Sequence, residues 1–390
     1  MWTLILILLP IIAIFSYIFY QRKEEMKKVQ SAKNDVKEIP NKKTNSNEKP
    51  QKKEKPKNKP KKPLKEIEQR LSTAEKAIFI GKTLPTSISF AKDNSCFVIS
   101  CQGHQHLLFA RSAIDNEGNP SQRYNINQDG VVDSALVTNP DLQLILCIDR
   151  IRDPGIQSYH IGLDKSQATP STDFLFEKAH NYTIKKVRAS DDGAFFATLG
   201  DDTHFNIVTQ NGQKLLSNDT RSNEAYELAV SHDFVTISGY ISSLVVYGIK
   251  RNEHSETPIK ATRAFSVGHK NSVNTVDFRP GTMEMVTGSQ DNSFIVWLTP
   301  ERWAEDDIAR NLWHFNVGEK IKMVRAAPKS DFVAVLTNSQ KLLFYNKEGL
   351  QKTVENPHPF TITHMEWTAD GKGLTVLSVE SYYLYAYASP

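Results

Sequence analysis

Short runs of alternating apolar and polar residues fill the chain from residue 77 onward, and turn-forming residues separate them. Alternation over four to eight residues is typical of a strand with one buried face, whereas Gly, Pro, Asn and Asp between such runs are typical of turns. The clearest stretch is Gly268–Trp297, in which Val276 and Phe278 precede the turn Arg279–Gly281. The pattern predicts an all-β domain of short antiparallel strands.

A unit of three such runs recurs along the chain at intervals of roughly 39–50 residues, which is the period of a four-stranded propeller blade. The third runs of the successive units are centred near Ala110, Tyr159, Val208, Tyr247, Trp297, Tyr345 and Tyr385. One unit cannot bury both of its faces, so seven units predict a closed ring. Residues 77–390 are therefore predicted to form a seven-bladed β-propeller.

Closure of that ring needs one further strand. The chain stops at Pro390 shortly after the third run of the seventh unit, whereas the apolar run Ala77–Ile80 precedes the first unit and belongs to none. An uncovered sheet edge invites aggregation. We predict that Ala77–Ile80 pairs with the last blade and supplies its outer strand.

Polar residues at fixed offsets make Gly268–Trp297 more specific than the other units. A Gly-His pair opens the stretch, and Asp291 lies six residues before the tryptophan. These residues resemble the WD-repeat family, whose fold is a β-propeller. Since buried polar groups must find partners, the resemblance implies a structural relay of hydrogen bonds. Its implied members are His269, Thr287 or Ser289, Asp291 and Trp297.

Other units keep fewer of these polar residues. The third has His180 and Asp202, but Val208 stands at the position of the tryptophan. The sixth has Gly318-Glu319 in place of Gly-His, and the fourth has neither the histidine nor the aspartate. We therefore expect apolar packing, rather than polar relays, to hold most blades together.

Residues 1–20 are strongly apolar, and positions 2–20 carry no charge. A helix of that length spans roughly 28 Å, close to the thickness of the hydrocarbon core of a bilayer. The alternative is a cleaved signal peptide, but no basic region precedes the stretch and no small-residue cleavage site follows it. We predict a transmembrane signal-anchor helix with the rest of the chain in the cytosol, because basic residues follow the helix and stay cytosolic. The membrane-proximal basic residues are Arg22, Lys23, Lys27 and Lys28.

The net charge is concentrated in one segment. Residues 21–70 carry 18 Lys or Arg against 8 Asp or Glu, whereas the whole chain carries a net charge of only +4. Residues 21–62 are rich in Lys and Pro and are predicted to be a disordered linker, followed by a short helix at 63–76. The linker is either a spacer or a patch that binds anionic lipid or RNA. It contains no aromatic residue to stack on bases, which favours the spacer with lipid contact.

Motifs of enzymes are absent from the sequence, including a Gly-rich phosphate loop, His-Glu-x-x-His, Gly-x-Ser-x-Gly and Cys-x-x-Cys. We predict no enzymatic activity and no cofactor.

Cys96 and Cys101 are predicted to be buried free thiols, although they could be neighbours in one blade. The nearby His104 and His106 lack a third ligand for a metal. Two tryptophans in a long connection are predicted either to cap the propeller or to contact a partner. They are Trp303 and Trp313.

The order of anchor, Lys-rich linker and propeller resembles the transducin beta-like group of WD-repeat proteins in the endoplasmic reticulum membrane. The stretches 179–203, 211–231, 263–273 and 285–297 carry this resemblance. It implies a non-enzymatic scaffold in endoplasmic reticulum stress signalling, the unfolded protein response. It also implies the endoplasmic reticulum membrane eIF2α kinase as a protein partner, together with RNA binding. The alternative is an RNA- or ribosome-tethering protein that acts through the basic linker.

Overall fold

The computed structural model describes residues 76–390 except 103–104, 117, 127–130, 139–142, 149–154, 166, 177–179, 221–223, 306, 356–357 and 359, and except the side chains of 146–148, 171–176 and 226. The predicted anchor, linker and short helix therefore lie outside the described residues, apart from Lys76. That residue belongs to a strand and not to the predicted helix. No helix within the described part is both long and apolar enough to cross a membrane.

Seven antiparallel sheets of four strands each make up the described part of the chain. Blade one is β2 Pro85–Phe90, β3 Cys96–Cys101, β4 Gln105–Ala110 and β5 Gln122–Asn125. Blade two is β6 Val131–Val137, β7 Gln143–Ile148, β8 Gly155–His160 and β9 Thr169–Phe176. Blade three is β10 Ile184–Ala189, β11 Phe195–Gly200, β12 His204–Thr209 and β13 Lys214–Asp219. Blade four is β14 Ala225–Val230, β15 Phe234–Gly239, β16 Ser243–Arg251 and β17 Pro258–Gly268. Blade five is β18 Val273–Phe278, β19 Glu284–Ser289, β20 Ser293–Leu298 and β21 Arg310–Asn316. Blade six is β22 Ile321–Ala326, β23 Val333–Thr337, β24 Leu342–Asn346 and β25 Gly349–Val354. The predicted all-β, seven-bladed propeller is confirmed.

Blade seven is completed by the first strand of the described chain. It consists of β26 His364–Trp367, β27 Gly373–Leu377 and β28 Tyr383–Ala388, with β1 Lys76–Phe79 as its outer strand. β1 runs antiparallel to β28, with Ala77 opposite Tyr385 and Ile78 opposite Leu384. This pairing confirms the predicted closure, because the strand before the first blade covers the edge that the last blade leaves open.

The turn between the first and second strands has the same backbone form in several blades. A residue with a left-handed backbone occupies it at Asn94, Gly193, Gly281, Lys329 and Gly371, with φ between 61° and 72°. Glycine and asparagine adopt that conformation at little cost, which explains their recurrence between strands. The turn also fits the Pro-Gly and Asp-Gly signals that separate the alternating runs in the sequence.

Seven clusters of buried apolar side chains form the core, and each lies between neighbouring blades. The seam between blades five and six shows the pattern, because Phe294 and Val296 of β20 pack with Ile321 and Val324 of β22. A sheet in the ring therefore buries one face against the preceding blade and the other against the following one. This arrangement explains why apolar packing suffices where polar relays are missing.

The outer strands of blades one to six lie outside the three runs that the sequence indicated for each unit; they are β5, β9, β13, β17, β21 and β25. The connection that contains Trp303 and Trp313 is one of these places, because it includes β21. In blade four, β16 extends to Arg251, well beyond the run centred near Tyr247, and pairs along its length with β17. Within the described residues, short helical turns occur in two connections, as α1 Ser112–Asn116 after β4 and as a 3-10 turn at Trp303–Glu305 before β21.

Candidate functional site

The fifth blade contains a chain of hydrogen bonds that joins four of the predicted relay residues. His269 Nδ1 lies 3.1 Å from Asp291 Oδ2, and His269 Nε2 lies 2.8 Å from Thr287 Oγ1. The indole nitrogen of Trp297 donates to the same Thr287 oxygen over 2.9 Å. Ser289 does not touch the histidine: its hydroxyl donates to the carbonyl of Ser272 over 2.9 Å and accepts from the backbone of Asp291. Of the two candidate hydroxyls, the structure brings Thr287 into the relay.

The electrostatics of the relay favour a neutral histidine beside a charged aspartate. Burial lowers the pKa of His269 despite the neighbouring carboxylate. Burial also opposes charge on Asp291, but hydrogen bonds from Ser293 and from the backbone of Lys270 lower its pKa on balance. A neutral imidazole then donates from Nδ1 to Asp291 and accepts the Thr287 hydroxyl at Nε2. Every polar atom of the chain of bonds has a partner, as a structural role requires.

The third blade repeats most of this arrangement. His180 Nδ1 lies 2.8 Å from Asp202 Oδ1, and Nε2 lies 2.9 Å from Thr198 Oγ1. The offsets from the histidine to the threonine and to the aspartate are 18 and 22 residues in both blades. Thr198 was not among the predicted relay residues, although it lies at the same offset from its histidine as Thr287. Val208, which stands in place of the tryptophan, packs in the apolar seam between blades two and three.

The sixth blade has an ionic substitute for the relay. Glu319 accepts a hydrogen bond from Ser339, whose hydroxyl is 3.0 Å from that of Thr337, and it pairs with Lys341 over 2.8 Å. Lys341 is the main cause of the lowered pKa of Glu319. Side chains in these turns therefore bond to one another in three blades. We call the side of the ring that carries the turns around His180, His269 and Glu319 the relay face.

Trp303 and Trp313, the candidate partner contacts, lie in separate places and are both half-buried. The ring of Trp303 meets that of Phe234 edge-on at 6.2 Å and lies over Gly248, where an added Cβ would be 2.6 Å from the indole. Trp313 of β21 packs against Phe294 with ring centres 5.8 Å apart. Each tryptophan covers an apolar seam next to the fifth blade, so packing accounts for the buried part of both.

The relay face exposes large apolar side chains on two neighbouring blades. Tyr182, which precedes β10, is 67% exposed, and Tyr240, in the turn after β15, is 62% exposed. Ile241 beside it is 37% exposed. Tyrosine is enriched in protein interfaces because it offers contact area at a small entropic cost. These residues were not predicted as site residues, since nothing in an alternating pattern indicates which turn residues stay exposed.

The inner strands carry a network of ion pairs around the central channel. Arg188 of β10 bonds to Asp133 over 2.8 Å and lies 3.4 Å from Glu227. Arg325 of β22 bonds to the other oxygen of Glu227 over 3.0 Å. Burial opposes charge on Glu227, but Arg325 and its other cationic neighbours lower its pKa to about 2. The network joins blades two, three, four and six across the channel.

The cysteines and histidines that the sequence singled out lie apart from the relay. Cys96 and Cys101 are buried free thiols, as predicted, and burial raises the pKa of Cys101 to about 11. His106 is buried with Nδ1 3.0 Å from Ser100 Oγ, whereas His104 lies outside the described residues. Among the residues that are described, no group of His, Cys, Asp and Glu is arranged to hold a metal ion. The basic residues at positions 22, 23, 27 and 28 also lie outside the described part.

A family model matches the segment that contains the relay. Residues 260–297 match the WD domain, G-beta repeat. This segment is a WD repeat. It runs from β17 to β20 and so combines the outer strand of blade four with three strands of blade five. The match and the seven-bladed ring together support a WD-repeat protein, a class that generally provides non-enzymatic scaffolds for protein interactions. No curated protein matches the chain.

Proposed function

We propose that this WD-repeat propeller is a scaffold that binds protein partners through its relay face. The observation that carries the proposal is the pair of exposed tyrosines, Tyr182 and Tyr240, on turns that rigid, hydrogen-bonded blades hold in place. Exposed aromatic residues on rigid elements are favourable anchors for binding, because little conformational freedom is lost on association. The ion pairs around the channel and the apolar seams add to that rigidity.

We further propose that residues 1–20 anchor the scaffold in the endoplasmic reticulum membrane, with the propeller in the cytosol. The support is the uncharged stretch at positions 2–20 and the basic residues at positions 22, 23, 27 and 28 that follow it. The order of parts resembles transducin beta-like protein 2. That resemblance supports the eIF2α kinase of this membrane as the partner and endoplasmic reticulum stress signalling as the process.

A binding experiment with that kinase tests the scaffold. The full-length chain in detergent is titrated with the cytosolic part of the kinase, and a Tyr182→Ser, Tyr240→Ser double variant is compared with Ile259→Ser. Ile259 is 53% exposed but lies in β17, on the outer strand of blade four. We expect the double variant to bind at least about tenfold more weakly, since truncation of an interface anchor typically costs about 2 kcal/mol or more. Unchanged binding by the double variant would contradict a role for the relay face.

A second candidate function, tethering of RNA or ribosomes, is favoured by the concentration of positive charge in residues 21–70. Binding of this kind releases counterions and weakens steeply as salt rises. RNA retention should therefore vanish in physiological salt and in a variant whose lysines at 23–62 are replaced by glutamine. A contact through the propeller should survive both changes. RNA binding that persists without those lysines would exclude the linker as its site.

A further inference from the structure

The central channel widens on the side opposite the relay face into a cavity of about 320 Å³, which we call the axial cavity. Its wall consists of the last residues of inner strands and of the turns that follow them, in blades one and three to seven. Pockets that bind small groups typically have volumes of about 300–1,000 Å³. The axial cavity is therefore large enough for one side chain or one small molecule.

The cations in the wall of the axial cavity already have partners. Lys92 lies 3.0 Å from Asp191. Arg188 and Arg325 belong to the ion-pair network of the channel and share Glu227. Lys329, which is exposed at the rim, has no ion-pair partner within the described part of the chain. The positive charge inside the cavity is thus largely neutralised by carboxylates of the wall.

Two carboxylates in the same wall retain unused acceptor oxygens. Asp277 Oδ2 accepts the backbone N–H of Ala326 over 2.9 Å, while its Oδ1 accepts no hydrogen bond from the described residues. Among the described residues, Glu366 forms an ion pair with Arg325 alone, with Oε2 3.5 Å from the guanidinium Nε, and its side chain is 42% exposed. Burial, reinforced by the charge of Glu366, raises the pKa of Asp277 despite the attraction of Arg325. A buried carboxyl group without a full set of partners gains most from an added cation.

Apolar surface lies beside these carboxylates. Phe278 follows Asp277 along β18, Trp367 follows Glu366 along β26, and both contribute to the wall. The indole nitrogen of Trp367 donates to the carbonyl of Arg325 over 3.0 Å, which fixes the ring. Basic side chains combine an alkyl stem, which packs on apolar surface, with a charged head that seeks carboxylates. The wall offers both kinds of contact.

We propose that the axial cavity binds a lysine or arginine side chain of a partner protein, with its charged head between Asp277 and Glu366. The inference rests on the proposed scaffold function and adds a second, chemically defined contact on the opposite side of the ring. An ammonium or guanidinium group supplies the donors that the free Asp277 oxygen lacks, and its charge relieves the repulsion between the two carboxylates. Backbone of the turns at the rim surrounds the site and faces the rest of the partner.

Small probes test the site directly in the full-length chain. N-acetyl-arginine methylamide and N-acetyl-lysine methylamide are titrated against it, and the citrulline and norleucine analogues serve as uncharged controls of similar shape. Dissociation constants come from calorimetry and from the shift in melting temperature that a ligand of the native state produces. We expect the charged probes to bind at least about tenfold more tightly than their controls, since hydrogen bonds between charged groups are stronger than those between neutral groups. Equal binding of charged and uncharged probes would overturn the proposal.

Two variants locate the binding. Asp277→Asn and Glu366→Gln each remove one negative charge with little change in shape, and each should weaken the charged probes about tenfold or more. The matched control is Glu348→Gln, because Glu348 is exposed in the turn after β24, away from the cavity wall. Melting temperatures establish that the variants are folded. If both cavity variants bind the probes as tightly as the wild type, the site is not the axial cavity.

The same proteins separate this inference from the scaffold proposal. Loss of probe binding in Asp277→Asn with kinase binding unchanged supports the cavity and leaves the relay face as the main contact. Loss of both supports a partner that uses both sites. Failure of every probe, with kinase binding still dependent on the tyrosines, overturns the cavity alone. Probe binding without any kinase binding retains the cavity and overturns the proposed partner.

Discussion

Thr287 is the central residue of the relay because it serves two partners at once. Its oxygen lies 2.8 Å from His269 Nε2 and accepts the indole N–H of Trp297 over 2.9 Å. Its counterpart in blade three, Thr198, has only the histidine as a relay partner, since valine stands in place of the tryptophan. The two blades therefore provide an internal comparison of a complete and a shortened relay.

Replacement of Thr287 by valine tests how much the complete relay contributes. The change keeps the shape of the side chain but leaves the Trp297 N–H and the His269 nitrogen without partners. We expect the free energy of unfolding in urea to fall by about 2–3 kcal/mol, against about 1–2 kcal/mol for Thr198→Val. An equal or larger effect of the Thr198 change would show that the tryptophan bond adds nothing.

Asp277 should make the stability of the propeller depend on pH. Burial and Glu366 raise the pKa of its carboxyl group from 3.8 to about 7. The native state therefore binds a proton more tightly than the unfolded chain, and the stability linked to this group is present below about pH 4 and lost as pH rises through about 7. Asp277→Asn removes the charge but keeps an acceptor for Ala326.

We expect Asp277→Asn to be more stable than the wild type at pH 8 by about 1–2 kcal/mol, and the difference should shrink at pH 5. Urea unfolding at the two pH values measures it. Burial lowers the pKa values of His180 and His269, so these residues also make stability depend on pH. Their contribution cancels in the difference between the two proteins, because both contain these residues. A wild type that is the more stable protein at pH 8 would show that the carboxylate is already compensated.

At the residue scale, the sequence predicts local contacts better than distant ones. His269, Asp291 and Trp297 lie at fixed offsets in one blade, so a repeat pattern in the sequence identifies them. The choice between Thr287 and Ser289 stayed open because both are small hydroxyl residues on one strand. The contact between Arg325 and Glu227 spans 98 positions and exists only because the ring is closed. No local pattern contains that information.

The elements differ in how visible they are in the sequence. The second strands are buried along their whole length in blades one, three and four, so their mainly apolar runs are easy to recognise in the sequence. Outer strands such as β13, β21 and β25 are half-buried or exposed at almost every position, so their apolar alternation is weak. Pairing with the neighbouring strand, and not the burial of their own side chains, determines these outer strands.

The closing strand β1 provides a test at the element scale. Ile78 is fully buried between blades seven and one, whereas the side chain of Lys76 on the same strand is 38% exposed and pairs with Asp115. A charge at position 78 should displace β1 and expose the edge of β28. We expect Ile78→Asp to lower the melting temperature by about 10 °C or more and to aggregate, since buried unpaired charges are among the most destabilising changes. Lys76→Ala is the matched control, and similar melting of both variants would contradict closure by this strand.

A comparison of Gly371 with Gly281 distinguishes the energetic cost of backbone strain from that of steric overlap. Gly371 and Gly281 occupy the same turn position in blades seven and five, with φ of 71° and 69°. A Cβ at Gly371 would overlap the carbonyl oxygen of Pro328 in blade six, whereas a Cβ at Gly281 would meet nothing within 4 Å. We expect Gly281→Ala to cost about 1 kcal/mol from the left-handed backbone alone, and Gly371→Ala about 2–3 kcal/mol. If both variants lose the same free energy of unfolding in urea, the packing between blades six and seven accommodates the added methyl group without cost.

At the scale of the whole molecule, sequence repeats and structural blades are out of phase. The WD repeat at residues 260–297 begins in the outer strand of blade four and ends in the third strand of blade five. Blade seven shows the same phase difference, because its outer strand β1 comes from the start of the described chain. Each repeat therefore spans a seam, and loss of one repeat opens the cores on both sides of it. The ring gains cooperativity from this phase difference, which a simple stack of blades would lack.

The orientation proposed for the propeller has a consequence at two positions of the folded ring. Asn181-Tyr-Thr and Asn218-Asp-Thr are acceptor sequences for N-glycosylation in the lumen of the endoplasmic reticulum. Asn181 is exposed in a turn of the relay face, whereas the side-chain nitrogen of Asn218 donates to the Tyr247 hydroxyl over 2.6 Å. A luminal propeller would thus be modified at Asn181 first.

We expect neither asparagine to be glycosylated, because a cytosolic propeller never meets the luminal transferase. The measurement is the mass of the full-length protein from mammalian cells before and after glycosidase treatment. Asn181→Gln identifies the modified residue if a shift occurs, and a variant with an acceptor sequence added before residue 2, on the luminal side, shows that the assay detects a glycan. A mass loss that Asn181→Gln abolishes would place the propeller in the lumen. That result would remove the cytosolic kinase domain from its reach, while the relay, the closure by β1 and the axial cavity would stand.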